Sequence, residues 1–296
     1  DAFYSRTDDL LYAKPVHATT GWTSLTSNIG SINNTGVELT VGGRIIDRDF
    51  KWDLSGNFSW GKNTLVRLLD DTDIIILSDS NLYGGSKHAL IINQPVSTWY
   101  MLKANGIYQR DEDVPEKLYK KGVRAGDVKW HDSDGNGIIE DSDRIAMGSS
   151  DPKFFGGWNN TFSWKGLSLN VFFTYMYGNQ TYLGQGLNFT RTGYTRSTIL
   201  EYNEKAWSGP GSTNTYPRII NGSSWNQKNS DMLLQDGSFI RLRALTLAYN
   251  LPRKALDKMK MKGFRIYLQG DNLFLLTKYP GWDPEVSANL DPRFFG

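Results

Sequence analysis

Residues 154–177 constrain the fold more than any other stretch, because apolar and polar side chains alternate on both sides of the dipeptide Lys165-Gly166. From Leu167 to Tyr177 the alternation runs for eleven residues, with Leu167, Leu169, Val171, Phe173, Tyr175 and Tyr177 in one phase. Ser168, Asn170, Thr174 and Met176 hold the other phase, where Phe172 is the one large intruder. The preceding segment sets Trp158, Phe162 and Trp164 against Asn159, Thr161 and Ser163. Successive side chains point to opposite faces of a strand, so each segment has a greasy face and a wet one. Ordinary strands run about 5–6 residues, whereas a tilted strand needs about 9–11 to cross a bilayer. Long strands of period two with aromatics toward their ends point to an outer-membrane barrel.

Other segments repeat the pattern. Residues 36–46 set Val37, Leu39 and Val41 against Glu38 and Thr40. After the polar turn Asp47-Arg48-Asp49, Phe50, Trp52, Leu54, Phe58 and Trp60 alternate with Lys51, Asp53, Ser55, Asn57 and Ser59. Over 237–250 the apolar phase shifts from Ile240, Leu242 and Ala244 to Leu245, Leu247 and Tyr249, which predicts a β-bulge. Residues 263–274 alternate Phe264, Ile266 and Leu268 with Arg265, Tyr267 and Gln269. The connections at 47–49, 165–166 and the basic 251–263 are short or compact, and those at 67–98, 109–153 and 178–236 are long. That asymmetry separates periplasmic turns from extracellular loops. The expected fold is all-β, an antiparallel transmembrane β-barrel with long extracellular loops.

Composition removes several function classes. The net charge of +2 over 296 residues supplies no electrostatic pull toward nucleic acid. The absence of cysteine excludes disulfides and thiolate metal sites within the chain. No apolar run approaches the roughly 18 residues of a membrane helix, a test to which barrels are invisible. Ten Trp, fifteen Tyr and fourteen Phe beside thirty Gly suit β-structure with wide loops. The chain opens in strand-like sequence at Ala2-Phe3-Tyr4-Ser5 and shows no closing strand at Gly296, so it is expected to be a piece of a longer protein.

The sharpest local motif is the stretch from Asp132 to Asp143. Asp132, Asp134 and Asn136 supply oxygens at loop positions 1, 3 and 5, Gly137 follows at 6, and Ile138 offers its backbone carbonyl. Asp143 stands at position 12, where the shorter carboxylate reaches less far than the usual Glu. The spacing is that of a Ca²⁺ loop, without evident flanking helices. The alternative is an Asx-rich turn whose carboxylates cap local amides.

Catalytic constellations are missing. His17, His88 and His131 lie far apart, and there is no nucleophile elbow or P-loop. Asp70-Asp71 and Asp111-Glu112-Asp113 read as solvated loop charge, and Gly156-Gly157 as loop flexibility. No catalytic residue is assigned. The aromatics Trp99, Tyr100, Tyr194, Trp207 and Trp225 sit among amide and guanidinium donors in the long loops, which suits a sugar or peptide ligand. The same rings could simply pack those loops.

Several segments resemble the SusC/RagA-type TonB-linked outer-membrane transporters. They are Asn28-Ile29-Gly30 through Asn34-Thr35-Gly36-Val37-Glu38-Leu39, and Gly126-Asp127-Val128-Lys129-Trp130 running into the acidic loop and Asp143-Arg144. Asp236-Gly237-Ser238-Phe239-Ile240-Arg241-Leu242-Arg243 and Gln269-Gly270-Asp271-Asn272-Leu273-Phe274 belong to the same pattern, as does Tyr279-Pro280-Gly281-Trp282-Asp283-Pro284-Glu285. The resemblance implies the C-terminal part of a 22-stranded plugged barrel, to which this chain would add about eight to ten strands. The plug and the final strand would lie outside the chain.

The resemblance further implies import of oligosaccharide or peptide through the outer membrane of a Bacteroidetes-type bacterium, with a SusD-like surface lipoprotein as lid. TonB would act through an N-terminal region outside this chain. The competing reading is a soluble calcium-binding β-sandwich that recognises carbohydrate. A β-rich glycoside hydrolase would need a carboxylate pair that nothing singles out. The membrane reading requires Leu169, Val171 and Phe173 to face lipid rather than a second sheet.

Overall fold

Lys165 and Gly166 both adopt positive φ, 46° and 87°, as a two-residue primed turn requires. The twist of that turn matches the twist of the strands it joins, and the hairpin closes in register from Trp164↔Leu167 to Phe154↔Tyr177. In this computed structural model the described residues are all except 10, 16–23, 29, 69–71, 79–86, 184–199, 221–224, 282 and 286–296. The chain divides into two units. The wall unit holds residues 1–69, 151–179 and 236–279, and the loop unit holds 70–150, 180–235 and 280–296.

The wall is a seven-stranded sheet of β1 (Ala2–Thr7), β2 (Gly30–Asp47), β3 (Phe50–Leu68), β4 (Phe154–Trp164), β5 (Leu167–Tyr177), β6 (Phe239–Asn250) and β7 (Arg265–Thr277). Each strand pairs antiparallel with its predecessor, the meander of an up-and-down barrel. Among the described residues the sheet has seven strands, beside an expectation of about eight to ten for the chain. The strand expected at 36–46 runs from Gly30 to Asp47, because Ser31–Thr35, polar except for the buried Ile32, extend the ladder through their backbone. The strand ends at Trp164, Leu167, Asn250 and Arg265 meet the short turns. Phe154, Tyr177, Phe239 and Thr277 lie together at the other end, where the chain enters and leaves the long connections.

Register sorts the side chains into two faces, since directly opposed residues share a face. One face carries the rows Leu39–Phe58–Gly156–Tyr175–Ile240–Leu276 and Phe50–Trp164–Leu167–Tyr249–Ile266. Between them runs Ile46–Trp52–Phe162–Leu169–Leu247–Leu268. The other face carries Arg44–Asp53–Thr161–Asn170–Thr246–Gln269, with Thr40, Asn57 and Thr174 two rows further along it. The polar face is internally bonded: Arg44 Nε donates to Asp53 Oδ1 at 2.9 Å, and Asn170 Nδ2 donates to Asn159 Oδ1 at 2.8 Å and Thr161 Oγ1 at 3.0 Å.

On the apolar face the exposure is large. Leu39, Val41, Ile266, Leu268 and Leu276 are more than half exposed, and Leu169, Val171 and Phe173 are half-buried and belong to neither of the buried clusters found among the described residues. Eleven residues rise roughly 34 Å along a strand, and a tilt of about 40° turns this into ~26 Å, the height of a barrel's apolar band. Aromatics mark both ends of that span, with Phe154 stacked on Tyr177 at 4.8 Å and Phe50 on Phe162 at 6.1 Å. This is the arrangement of girdles that flank a lipid-facing band.

Two local departures have clear causes. The expected bulge is present: register slips between Phe172 and Phe173 and again between Leu242 and Ala244, which isolates Arg243. Asn272 opposite adopts φ 52°, and Arg243 Nη1 donates to its Oδ1 at 3.1 Å. Gly156 and Gly157 are not flexible loop residues but lie inside β4. A Cβ on Gly156 would sit 2.1 Å from the Asn57 carbonyl oxygen, so the close approach of β3 excludes any side chain there.

Among the described residues, two buried apolar cores lie in the loop unit. One joins Leu102, Ile107, Tyr108, Val114, Leu118, Val123, Val128, Trp130 and Ile139, with Trp207 and Trp225 packed against it. A second joins Trp99, Met101, Tyr182 and Leu233. No helix among the described residues is long and apolar enough to cross a membrane.

Candidate functional site

The Asp132–Asp143 loop is held at both ends by strands rather than helices. Val128–Trp130 pairs with Ala104–Ile107, burying Val128 and Trp130, and Ile145–Ser149 pairs with Thr98–Met101. Between them Gly135 and Gly137 take φ of 72° and 76°, which lets the backbone fold its amides onto the acids. Asp132 Oδ1 accepts from Gly135 N and Oδ2 from Gly137 N, each at 2.8 Å. Asp134 Oδ1 accepts from Asn136 N at 3.0 Å, and Asn136 Oδ1 accepts from Ile138 N at 2.7 Å. Asp143 is fully buried and accepts from Ser133 N and Glu140 N, both at 2.8 Å.

These contacts have electrostatic consequences. The amides of Gly137 and then Gly135 stabilise the Asp132 anion and hold its carboxyl below the usual carboxylate range, against the opposing effect of partial desolvation. Ligand oxygens of Asp132, Asp134 and Asp143 lie within 4.8 Å of one another. Oxygens bound to one Ca²⁺ at 2.3–2.6 Å stand at most about 5 Å apart, so the three acids fit such an ion. Lys117 Nζ donates to the Asn136 carbonyl at 2.6 Å, which brings a resident cation to the edge of the same loop.

The aromatic residues expected to meet a ligand are placed differently from one another. Trp99 is in the interior: its ring stacks on His88 at 3.8 Å, and its indole donates to the Gln180 carbonyl at 3.2 Å. Trp207 and Trp225 are half-buried with their N–H groups engaged, on Gln109 Oε1 at 3.2 Å and the Val128 carbonyl at 2.9 Å respectively. Burial and a spent donor make Trp99 a packing residue of the loop unit, whereas Trp207 and Trp225 pack against the Leu102–Ile139 core with part of each side chain open. Tyr100 is half-buried in the strand Thr98–Met101. Tyr194 lies outside the described residues.

Periodicity gave no sign of the clamp that orders this unit. The buried Asp127 carboxylate receives Arg218 Nε at 2.8 Å and Nη2 at 3.0 Å, Asn226 Nδ2 at 2.9 Å, and the Arg124 amide at 2.9 Å. Gly126, at φ 87°, has no room for a side chain beside the Trp207 ring. The only sequence signal was the Gly126-Asp127 dipeptide, whose partners stand some ninety positions away.

No family model matches the chain. Among curated proteins it is 32% identical over 299 residues to TonB-dependent receptor P3 of Formosa agariphila, covering 98% of this chain and 29% of that protein. It is 26% identical over 305 residues to TonB-dependent receptor SusC of Bacteroides thetaiotaomicron, covering 98% of the chain and 28% of SusC. The chain thus spans less than a third of these relatives. A solved structure of the RagAB peptide transporter superposes with a TM-score of 0.77 at 24% identity, over 96% of this chain and 30% of the other. The same importer in its "closed-closed" state gives 0.75 at 25% identity, over 97% and 30%.

Proposed function

We propose that this chain, part of an outer-membrane β-barrel related to the SusC/RagA-type TonB-dependent receptors, forms a section of barrel wall and extracellular loop in an importer of oligosaccharides or peptides. The observation that carries the reading is the segregation of the wall into an apolar face and a polar, hydrogen-bonded face across six register-matched strands. Such a wall meets acyl chains on one side and a wet lumen on the other. A soluble sandwich is disfavoured, since its apolar face would be covered by a second sheet.

Import needs no covalent step from these residues. The ligand is held by the long loops, passes the polar face, and moves when a plug outside this chain is displaced through TonB. A SusD-like lipoprotein serves as lid, and this chain corresponds to the C-terminal part of the barrel. Uptake of labelled oligosaccharides and peptides by cells carrying or lacking the full-length gene tests this. Equal uptake of every class by both strains would overturn it.

The acidic loop binds Ca²⁺ through Asp132, Asp134, Asn136, Ile138 and Asp143 in this reading, supported by the spacing of the three carboxylates. Bound metal would order the loop and take no part in chemistry. Calcium should then protect residues 120–150 from protease, and equal cleavage in chelator would count against the site.

A further inference from the structure

The connection between β6 and β7, residues 251–264, carries Arg253, Lys254, Lys258, Lys260 and Lys262 against the single acid Asp257, a net charge of +4. The other short turns carry nothing comparable: Asp47-Arg48-Asp49 is net −1, and Lys165-Gly166 is +1. The charge is displayed on an ordered frame. A short helix (Arg253–Lys258) buries Leu256, Met261 N returns to the Leu256 carbonyl at 3.0 Å, and Leu251 N bonds the Phe264 carbonyl at 3.0 Å. Lys254, Lys258, Lys260 and Lys262 all remain exposed.

The apolar side chains between those cations are exposed as well. Met259, Met261 and Phe264 stand 54%, 40% and 42% open in a segment that could have used polar residues. The segment flanks Tyr249 and Ile266, the last residues of the apolar face at this end. A basic surface studded with apolar groups, continuous with a lipid-facing wall, matches the interface between acyl chains and phosphates. An acidic peptide would satisfy the lysines and leave the methionines in water.

We infer that residues 251–264 are a binding site for anionic phospholipid on the short-turn side of the membrane. Lysine ammonium groups meet the phosphates while Met259, Met261 and Phe264 enter the acyl boundary. The inference rests on the orientation of the wall and not on import, so it can fail while import stands.

The test places the full-length protein in nanodiscs, with an environment-sensitive dye on Met259→Cys. Emission should shift to the blue in discs containing phosphatidylglycerol relative to phosphatidylcholine alone, and about 0.5 M salt should reverse the shift. Lys258→Gln, Lys260→Gln and Lys262→Gln together should abolish it, each charge being worth roughly a fivefold loss of affinity, while three Arg replacements should keep it. Heat-modified electrophoretic mobility confirms that each barrel is folded, and the comparison of lipids in the labelled parent decides the matter without the variants. Identical emission in both discs overturns the proposal. So does a shift driven by a soluble polyglutamate peptide and not by phosphatidylglycerol, which would assign the surface to an acidic protein.

Discussion

Leu245 and Thr246 are consecutive residues of β6 at one depth and on opposite faces, so one pair of substitutions tests the orientation of the wall. Leu245 lies opposite Val171 and Gly270 on the apolar face, and Thr246 opposite Asn170 and Gln269 on the polar face. The Leu245 row is four residues from the Leu167 end, about 10 Å of depth at ordinary rise and tilt, well inside a band about 25 Å tall. Leu245→Arg should cost about 2–4 kcal/mol, the depth-dependent cost of a guanidinium facing hydrocarbon. A loss near 3 kcal/mol lowers the folding equilibrium by about two orders of magnitude. Thr246→Arg meets polar neighbours and should cost less than about 1 kcal/mol, and so should Tyr249→Arg at the girdle. The assay is denaturant unfolding of the full-length protein in lipid vesicles, read by heat-modified mobility at matched slope. Equal tolerance at positions 245 and 246, or the reverse order, would refute the assignment of faces.

Three further outcomes concern the loop unit. Arg218→Ala leaves the buried Asp127 carboxylate with only neutral donors and should destabilise this unit by about 3 kcal/mol, seen as faster proteolysis while the wall stays folded. Asp132 titrates below its unfolded value, so its contribution is complete above about pH 4 and disappears as pH falls through the depressed value. The protection of the Gly135 and Gly137 amides, taken relative to intrinsic exchange at each pH, should therefore fall on acidification, and pH-independent protection would contradict the hydrogen bonds assigned to Asp132. Asp134→Asn keeps the shape of an exposed loop residue and should weaken Ca²⁺ by at least about tenfold, with little change in metal-free stability, by titration calorimetry.

The wall was legible because a membrane strand obeys a simple rule: side chains alternate, and lipid keeps one phase apolar. Leu167–Tyr177 and Phe50–Trp60 follow it, and even the slip at Arg243 appeared as a change of phase. The rule fails for Gly30–Thr35, where a strand pairs through its backbone while its side chains are mostly polar. It also misjudged Gly156-Gly157, whose requirement comes from the neighbouring strand and leaves no mark in local composition. In the loop unit the aromatic residues looked available for a ligand, yet Trp99 is consumed by packing. Composition cannot separate these uses, because the decisive partners, Gln180 for Trp99 and Arg218 for Asp127, are distant in sequence.

The meander has an evolutionary corollary. β3 and β4 pair from Trp60↔Phe154 to Phe50↔Trp164 although 85 residues separate Leu68 from Phe154, and β5 and β6 pair across a 61-residue gap. Hairpin geometry is thus fixed by ladders that do not depend on what is inserted at the tips. Such insertions can lengthen or shorten in evolution while the strand register beneath them is kept.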